Sequence, residues 1–181
     1  MNIHIKQWTL ISFSILLFTA GCTTPSSRQV PYAYEELHPG MSLVLHKAIR
    51  FPAYTAAITI QTGQLKQGLS LDTYYPNCRL ELRSQSPSVR VIEPQRFMIY
   101  KIRNHIEYVM SKPVMLAGLG LHSADGTSDQ VYSTILYLKS EKQPEVELLS
   151  CQHWEDPTSF PHHLTVDQIK QTLDDLFTLE N

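Results

Sequence analysis

Apolar and polar residues alternate along much of the chain, with the period of two that is typical of β-strands buried on one face. The alternation is clearest in residues 54–61, where Ile58 and Ile60 fall on one face and Thr59 and Gln61 on the other. On this pattern we predict strands within the following runs: 43–50, 54–61, 80–83, 89–92, 97–102, 106–110, 132–138 and 146–154. So many short runs indicate a domain built on a sheet.

The run 97–102 differs from the others because it is apolar on both faces. Phe97 and Ile99 point to one side, and Tyr100 and Ile102 to the other. A strand that is apolar on both faces is expected in the middle of a sheet.

Polar segments separate the runs. Residues 61–64, with the sequence Gln-Thr-Gly-Gln, and residues 140–144 have the composition and length of hairpin turns. Arg103 and Asn104 are predicted to form a turn between two strands, and residues 116–130 to form a long loop.

One helix is predicted near the C-terminus. Thr165 followed by Gln168 matches a capping box, and Asp167 in the first turn suits the positive end of the helix dipole. Apolar residues then recur at helical spacing, at Val166, Ile169, Leu173 and Leu176. This apolar stripe is expected to pack on the sheet.

These elements predict a mainly β (α+β) fold for residues 35–181, which we take as a single globular domain. The expected architecture is an antiparallel sheet, closed as a sandwich or partial barrel, with one C-terminal helix packed on it.

The first 21 residues have the pattern of a signal peptide. Lys6 precedes an uncharged run over residues 8–20, which is shorter than the roughly 20 residues of a membrane-spanning helix. The small residues Ala20 and Gly21 then come directly before Cys22.

This ending resembles the lipobox of bacterial lipoproteins, although Thr19 stands where that motif favours Leu. The resemblance implies cleavage after residue 21, acylation of Cys22, palmitate included, and anchoring to a membrane. Thr23 in place of Asp resembles the default signal for sorting to the outer membrane, with the domain facing the periplasm. Residues 22–34, rich in Ser, Thr and Pro, are predicted to form a flexible tether.

Two cysteines remain if Cys22 carries lipid, namely Cys78 and Cys151. The periplasm is oxidising, so a disulfide between them is expected; two buried free thiols are the alternative. Neither cysteine belongs to a CxxC pair, which argues against a metal site built on them.

Net charge limits the classes of partner that the chain is expected to bind. The chain has 181 residues and a formal net charge of −2, without the basic excess expected of a nucleic-acid-binding protein or of polybasic attachment to a membrane.

Histidines gather near the C-terminus, where His153, His162 and His163 flank Glu155 and Asp156. Imidazole and carboxylate groups are zinc ligands, but the spacing matches no ligand motif such as HExxH. We therefore interpret these histidines as solvated loop residues and assign no metal ligand.

Motifs for catalysis and cofactors are missing from the sequence. There is no GxSxG elbow and no SxxK, and the glycines from Gly118 onward have Ser123 where a dinucleotide fingerprint needs its third glycine. We therefore assign no catalytic residue and no cofactor, and expect no enzyme activity.

Four tyrosines lie in loop-like surroundings and are candidate interface residues, because exposed tyrosine favours protein contacts: Tyr32, Tyr34, Tyr74 and Tyr75. The expected function is that of a non-enzymatic envelope lipoprotein that binds a protein partner or helps to maintain the envelope. A periplasmic protein that binds a small lipid or glycan fragment is the alternative, and a periplasmic hydrolase is third.

Overall fold

The computed structural model describes residues 36–66, 68–109, 129–155 and 162–181. Its strands are β1 (Ser42–Leu45), β2 (Ile49–Phe51), β3 (Ala57–Gln61), β4 (Gln64–Lys66), β5 (Asn77–Leu82), β6 (Arg90–Ile92), β7 (Gln95–Val109), β8 (Asp129–Lys139), β9 (Val146–Glu155) and β10 (Phe177–Glu180). The C-terminal helix, α1, spans Val166–Leu173, and short 3₁₀ turns occupy Gly68–Ser70 and Asp174–Leu176.

Eight strands form one antiparallel sheet in the order β10-β1-β7-β8-β9-β5-β3-β4, and β2 pairs with β6 in a small second sheet. The large sheet curves into a half-barrel with α1 packed on it. This confirms the predicted mainly β fold and, of the two architectures expected, the partial barrel.

One face of the large sheet, which we call the inner face, is buried against the helix and the small sheet. Helix α1 lies against β3, β5 and β10, and buries Val166, Ile169 and Leu173. The largest completely buried side chains include residues from both sheets: Phe51, Phe97, Phe177, Leu43, Leu45, Ile49, Ile60, Leu80, Ile92, Ile99, Leu136 and Leu138. The alternation in the sequence thus marks the side chains that exclude water from this core.

The predicted turn at residues 61–64 is confirmed. Thr62 and Gly63 have φ values of 52° and 69°, and Gln61 pairs with Gln64 across the turn. Two successive residues with positive φ are typical of the tight hairpin turns that match the right-handed twist of the strands.

Strand β7 is longer than the sequence pattern predicted. The expected turn at Arg103 and Asn104 is wrong, because both residues lie inside β7 and pair with Ile135 and Thr134 of β8. With eleven residues of β8 available as partners, the strand continues to Val109.

The predicted orientation of the side chains along this strand is also wrong, because β7 has a bulge at Tyr100. Ile99 pairs with Leu138 and Lys101 with Tyr137, so Tyr100 is an extra residue that shifts the alternation by one position. Ile102 consequently shares the inner face with Ile99, whereas the uninterrupted pattern placed the two residues on opposite faces.

The helix begins as predicted and ends earlier. The Thr165 side chain accepts a hydrogen bond from the Gln168 backbone N–H, and the Gln168 side chain accepts one from the Thr165 N–H, which completes the capping box. Asp174 then takes a positive φ of 46° and ends the helix. Leu176, predicted as part of the helical stripe, is buried in the 3₁₀ turn that leads into β10.

Cys78 and Cys151 are direct cross-strand partners on β5 and β9. Their sulfur atoms are 2.05 Å apart and both residues are inaccessible to solvent. The pair therefore joins two neighbouring strands inside the core, at the positions that the sequence analysis paired.

Candidate functional site

The inner face continues past the fully buried core to one end of strands β7, β8 and β9. Ile106, Tyr132 and His153 lie side by side across the three strands, and the next row along is Tyr108, Gln130 and Glu155. We call these six residues the distal end. It combines exposed apolar groups on β7 with ionisable groups on β9.

The ionisable groups form a compact cluster. The ring Nε2 of His153 donates to the backbone carbonyl of His162 at 2.8 Å and lies 3.2 Å from Oε1 of Glu155. The same Oε1 lies 3.2 Å from Nδ1 of His162. One carboxylate oxygen therefore bridges two imidazole rings, which cross almost at a right angle with their centroids 5.3 Å apart.

Two elements hold this cluster in place. His153 and Glu155 are two positions apart on β9 and so point to the same face, while His162 lies just before the capped start of α1. His153 is only 5% exposed, and the Glu155 side chain is also largely buried.

Burial determines the protonation state of two of the histidines. It lowers the pKa of His153, an effect that the His162 carbonyl and the Glu155 carboxylate partly oppose. Burial, reinforced by the nearby His153, also lowers the pKa of His163. Both imidazoles are therefore neutral near pH 7.

Tyr132 links the cluster to the exposed part of the distal end. His163 packs edge-on against its ring at a centroid distance of 5.3 Å, and its hydroxyl donates to Gln130 Oε1 at 2.6 Å. Burial raises the pKa of Tyr132, with smaller contributions from Tyr108 and Glu155. Tyr132 thus stays a neutral phenol that donates a hydrogen bond.

The interpretation of the histidines as solvated loop residues is wrong for His153, which is a buried strand residue, and His162 and His163 are partly buried. The sequence contained one signal, the two-residue spacing of His153 and Glu155 inside a predicted strand. It also grouped His162 with these two residues along the chain, but it did not show that the rings meet, because that contact joins a strand to the segment before a helix. Asp156 lies outside the described residues.

The second notable feature is the edge of β7. Strand β1 pairs with β7 only over Gln95–Met98, and Ile99 adds backbone bonds to Gly40 and Met41. From Tyr100 to Val109, among the parts of the chain that the structure describes, β7 has a strand partner on the β8 side alone. Over these ten residues, no other described strand pairs with the side of β7 that faces away from β8.

The side chains along this edge differ between the faces. Lys101, Arg103 and His105 alternate on the outer face and are exposed. On the inner face Ile106 is 42% exposed and Tyr108 is 65% exposed. The edge is therefore basic on one face and apolar on the other.

Of the four candidate interface tyrosines, Tyr74 and Tyr75 lie among the described residues, and neither is on β7. Tyr74 packs edge-on against Trp154, and its hydroxyl donates to Asp129 Oδ2 at 2.8 Å, so it anchors a loop to the sheet. Tyr75 is 66% exposed. Tyr32 and Tyr34 lie outside the described residues, as does Cys22.

One groove among the described residues, of about 470 Å³, is poorly suited to a lipid fragment. It is lined by Gln95, Arg96, Met98, Lys139, Ser140, Glu141 and Lys142. Apart from Met98 these side chains are polar or charged, whereas pockets for apolar ligands are lined mainly by hydrophobic groups.

Comparison with known proteins found no matching family model, no matching curated protein and no matching solved structure. Within the described ranges, no helix has both the length and the apolar character needed to cross a membrane.

Proposed function

We propose that this protein is a non-enzymatic, lipid-anchored envelope protein that binds a protein partner along the free edge of β7. The observation that carries the proposal is the ten-residue edge from Tyr100 to Val109, which pairs with β8 on one side only among the described residues.

An edge of this kind binds an extended segment by adding it to the sheet. Backbone N–H and C=O groups of the incoming strand satisfy those of the edge, and alternate side chains determine which segment fits. Ten residues at roughly 3.3 Å each offer about 33 Å of backbone, enough for a typical strand.

The side chains favour an acidic occupant. Lys101 and Arg103 stand two positions apart on the outer face, with His105 next in the same row and Glu107 as the one acidic residue after it. On the inner face Ile106 and Tyr108 offer apolar surface. We infer that the partner contributes an extended segment with carboxylates on one face and apolar side chains on the other.

The same charges explain why the edge need not pair with a second copy of itself. Natural sheets use lysine and arginine on edge strands, and bulges such as the one at Tyr100, to prevent edge-to-edge association. If two copies paired along this edge, Lys101 and Arg103 of one copy would approach the basic residues of the other. The carboxylates of an acidic segment would instead neutralise these charges.

The anchor belongs to the same proposal. Acylation of Cys22 would hold the domain at the periplasmic face of the outer membrane, within reach of other envelope proteins. The support for this part is the lipobox-like ending at Ala20, Gly21 and Cys22.

The test is site-specific photo-crosslinking of the full chain in cells. A photoreactive phenylalanine analogue replaces His105 on the edge or, as a matched control, Leu65 on the short edge strand β4, which is also exposed. We expect position 105 to capture one dominant envelope protein, and mass spectrometry of the adduct to locate the crosslink in an acidic extended segment. Position 65 should not capture it.

Charge reversal makes the test specific. Lys101→Glu combined with Arg103→Glu should reduce the captured fraction at least about tenfold, whereas Arg79→Glu on β5 should leave it unchanged. A crosslink from position 105 to the same chain or to a second copy would overturn the proposal, and so would capture that survives the charge reversal.

A further inference from the structure

Three groups that bind zinc in proteins converge at the distal end. They are the imidazoles of His153 and His162 and the carboxylate of Glu155, whose potential ligand atoms all lie within 4.8 Å of one another. Two histidines and one glutamate are a known combination for a zinc site with three protein ligands.

The distances suit tetrahedral coordination. With zinc bonds of about 2.0–2.1 Å to nitrogen and oxygen, two ligand atoms of a tetrahedral site lie about 3.3 Å apart. Oε1 of Glu155 is 3.2 Å from His153 Nε2 and also 3.2 Å from His162 Nδ1. Two of the three ligand-to-ligand distances therefore already match, and the third, between the two imidazoles, is no longer than 4.8 Å.

We propose that His153, Glu155 and His162 form a binding site for one zinc ion. The site has a buried side and an open side, because His153 and Glu155 are largely buried on β9 whereas the His162 side chain is 35% exposed. Three protein ligands leave a fourth coordination position, which would face solvent beside His162 and take a water molecule or a donor atom from a partner.

Zinc would replace the present hydrogen bonds of the cluster. The proton on His153 Nε2, now donated to the His162 carbonyl, would move to Nδ1 by exchange with solvent, so that the ring stays neutral and the Nε2 lone pair binds the metal. Zinc would then link β9 to His162, which lies three residues before the helix N-cap Thr165, in place of the hydrogen bonds that now connect them.

The experiment is isothermal titration of zinc chloride into the purified, chelator-treated protein at pH 7.5. We expect one zinc ion per chain, a raised Tm, and an X-ray absorption spectrum of the loaded protein that contains nitrogen and oxygen ligands but no sulfur. Magnesium and calcium should not compete, because they prefer sites made entirely of oxygen ligands.

Substitutions test whether the cluster of His153, Glu155 and His162 is the site that binds zinc. Glu155→Gln keeps the shape of the side chain and His162→Ala removes a partly exposed ring, so both should fold, and each should weaken zinc binding at least about tenfold. His46→Ala is the control, since His46 bonds to Thr178 of β10 and is exposed. Absence of saturable zinc binding, or undiminished binding in both Glu155→Gln and His162→Ala, would overturn the proposal.

Discussion

Gly63 and Asp174 are in such close contact that a Cβ atom at Gly63 would lie 2.8 Å from the Cβ of Asp174. Both residues have positive φ, 69° and 46° respectively. The Gly63 N–H also donates to the carbonyl of Thr172 at 2.9 Å. The tight turn between β3 and β4 is thus fastened to the end of the helix, where the chain leaves α1 for β10.

This contact predicts that Gly63→Ala destabilises the domain by about 1–3 kcal/mol, because the added methyl group meets Asp174 and because alanine disfavours positive φ. Urea denaturation measures the loss. Gly68→Ala is the matched control, since Gly68 has a φ of 54° but no atom within 4 Å of a Cβ at that position. Equal losses in the two variants would contradict a steric role for Asp174.

The buried bridge predicts a large loss of stability when it is removed. Cys78 and Cys151 are 73 residues apart, and closing a loop of that length stabilises by about 4 kcal/mol on the chain-entropy model. The double variant Cys78→Ala, Cys151→Ala should show a loss of this order in urea denaturation. Two thiols that react with an alkylating agent in denatured, unreduced protein would contradict the bridge.

The histidines predict that the metal-free domain becomes less stable in acid. The pKa values of His153 and His163 lie below their ordinary value near 6.5, so the unfolded chain binds more protons than the folded one. The free energy of unfolding should therefore be at its plateau above about pH 6.5 and fall as the pH drops below it. The groups that face these rings are Glu155, His162 and Tyr132.

Urea denaturation in the presence of a chelator, from pH 7.5 to pH 5, measures this dependence. His163→Gln should flatten the fall, because it removes one of the two groups, while His46→Ala should leave the slope as it is. An unchanged slope in His163→Gln would mean that other groups cause the loss.

The lipobox-like ending predicts that Cys22 carries the anchor. Radiolabelled palmitate should be incorporated into the full chain in cells and be absent from Cys22→Ala, with His46→Ala, a change at an exposed residue, as a control that retains the label. The anchored protein should also fractionate with the outer membrane. Labelling that persists in Cys22→Ala would exclude this cysteine as the acylated residue.

Sequence patterns predicted most strands and the helix start because those elements depend on local rules. Alternation located β3, β5, β8 and β9, and the capping box located the first turn of α1 to the residue. Strand β10 was missed because its two apolar residues, Phe177 and Leu179, follow an apolar stripe that has helical spacing. Only the positive φ of Asp174 and the pairing of Phe177–Glu180 with β1 separate the strand from the helix.

The candidate site was harder to predict from such local rules. Ile106 and Tyr108 were assigned to a strand, but their exposure depends on where β1 stops pairing with β7. The bulge at Tyr100 determines which face of the sheet Ile106 and Tyr108 occupy, and a tyrosine at that position does not by itself predict a bulge.

By itself, therefore, the sequence determined what short-range order can encode: period-two strands, a turn at Gly63, a capped helix and an expected pair of cysteines. The tertiary structure alone decided the strand order, the edge of β7 with which no second described strand pairs, and the meeting of His153, Glu155 and His162. The strand order and the extent of the pairing between β1 and β7 depend on contacts between residues far apart in the chain and on the packing of the whole core. The contact between His153 and His162 spans nine residues, but it joins a strand to the segment before a helix, and no local pattern predicts that approach.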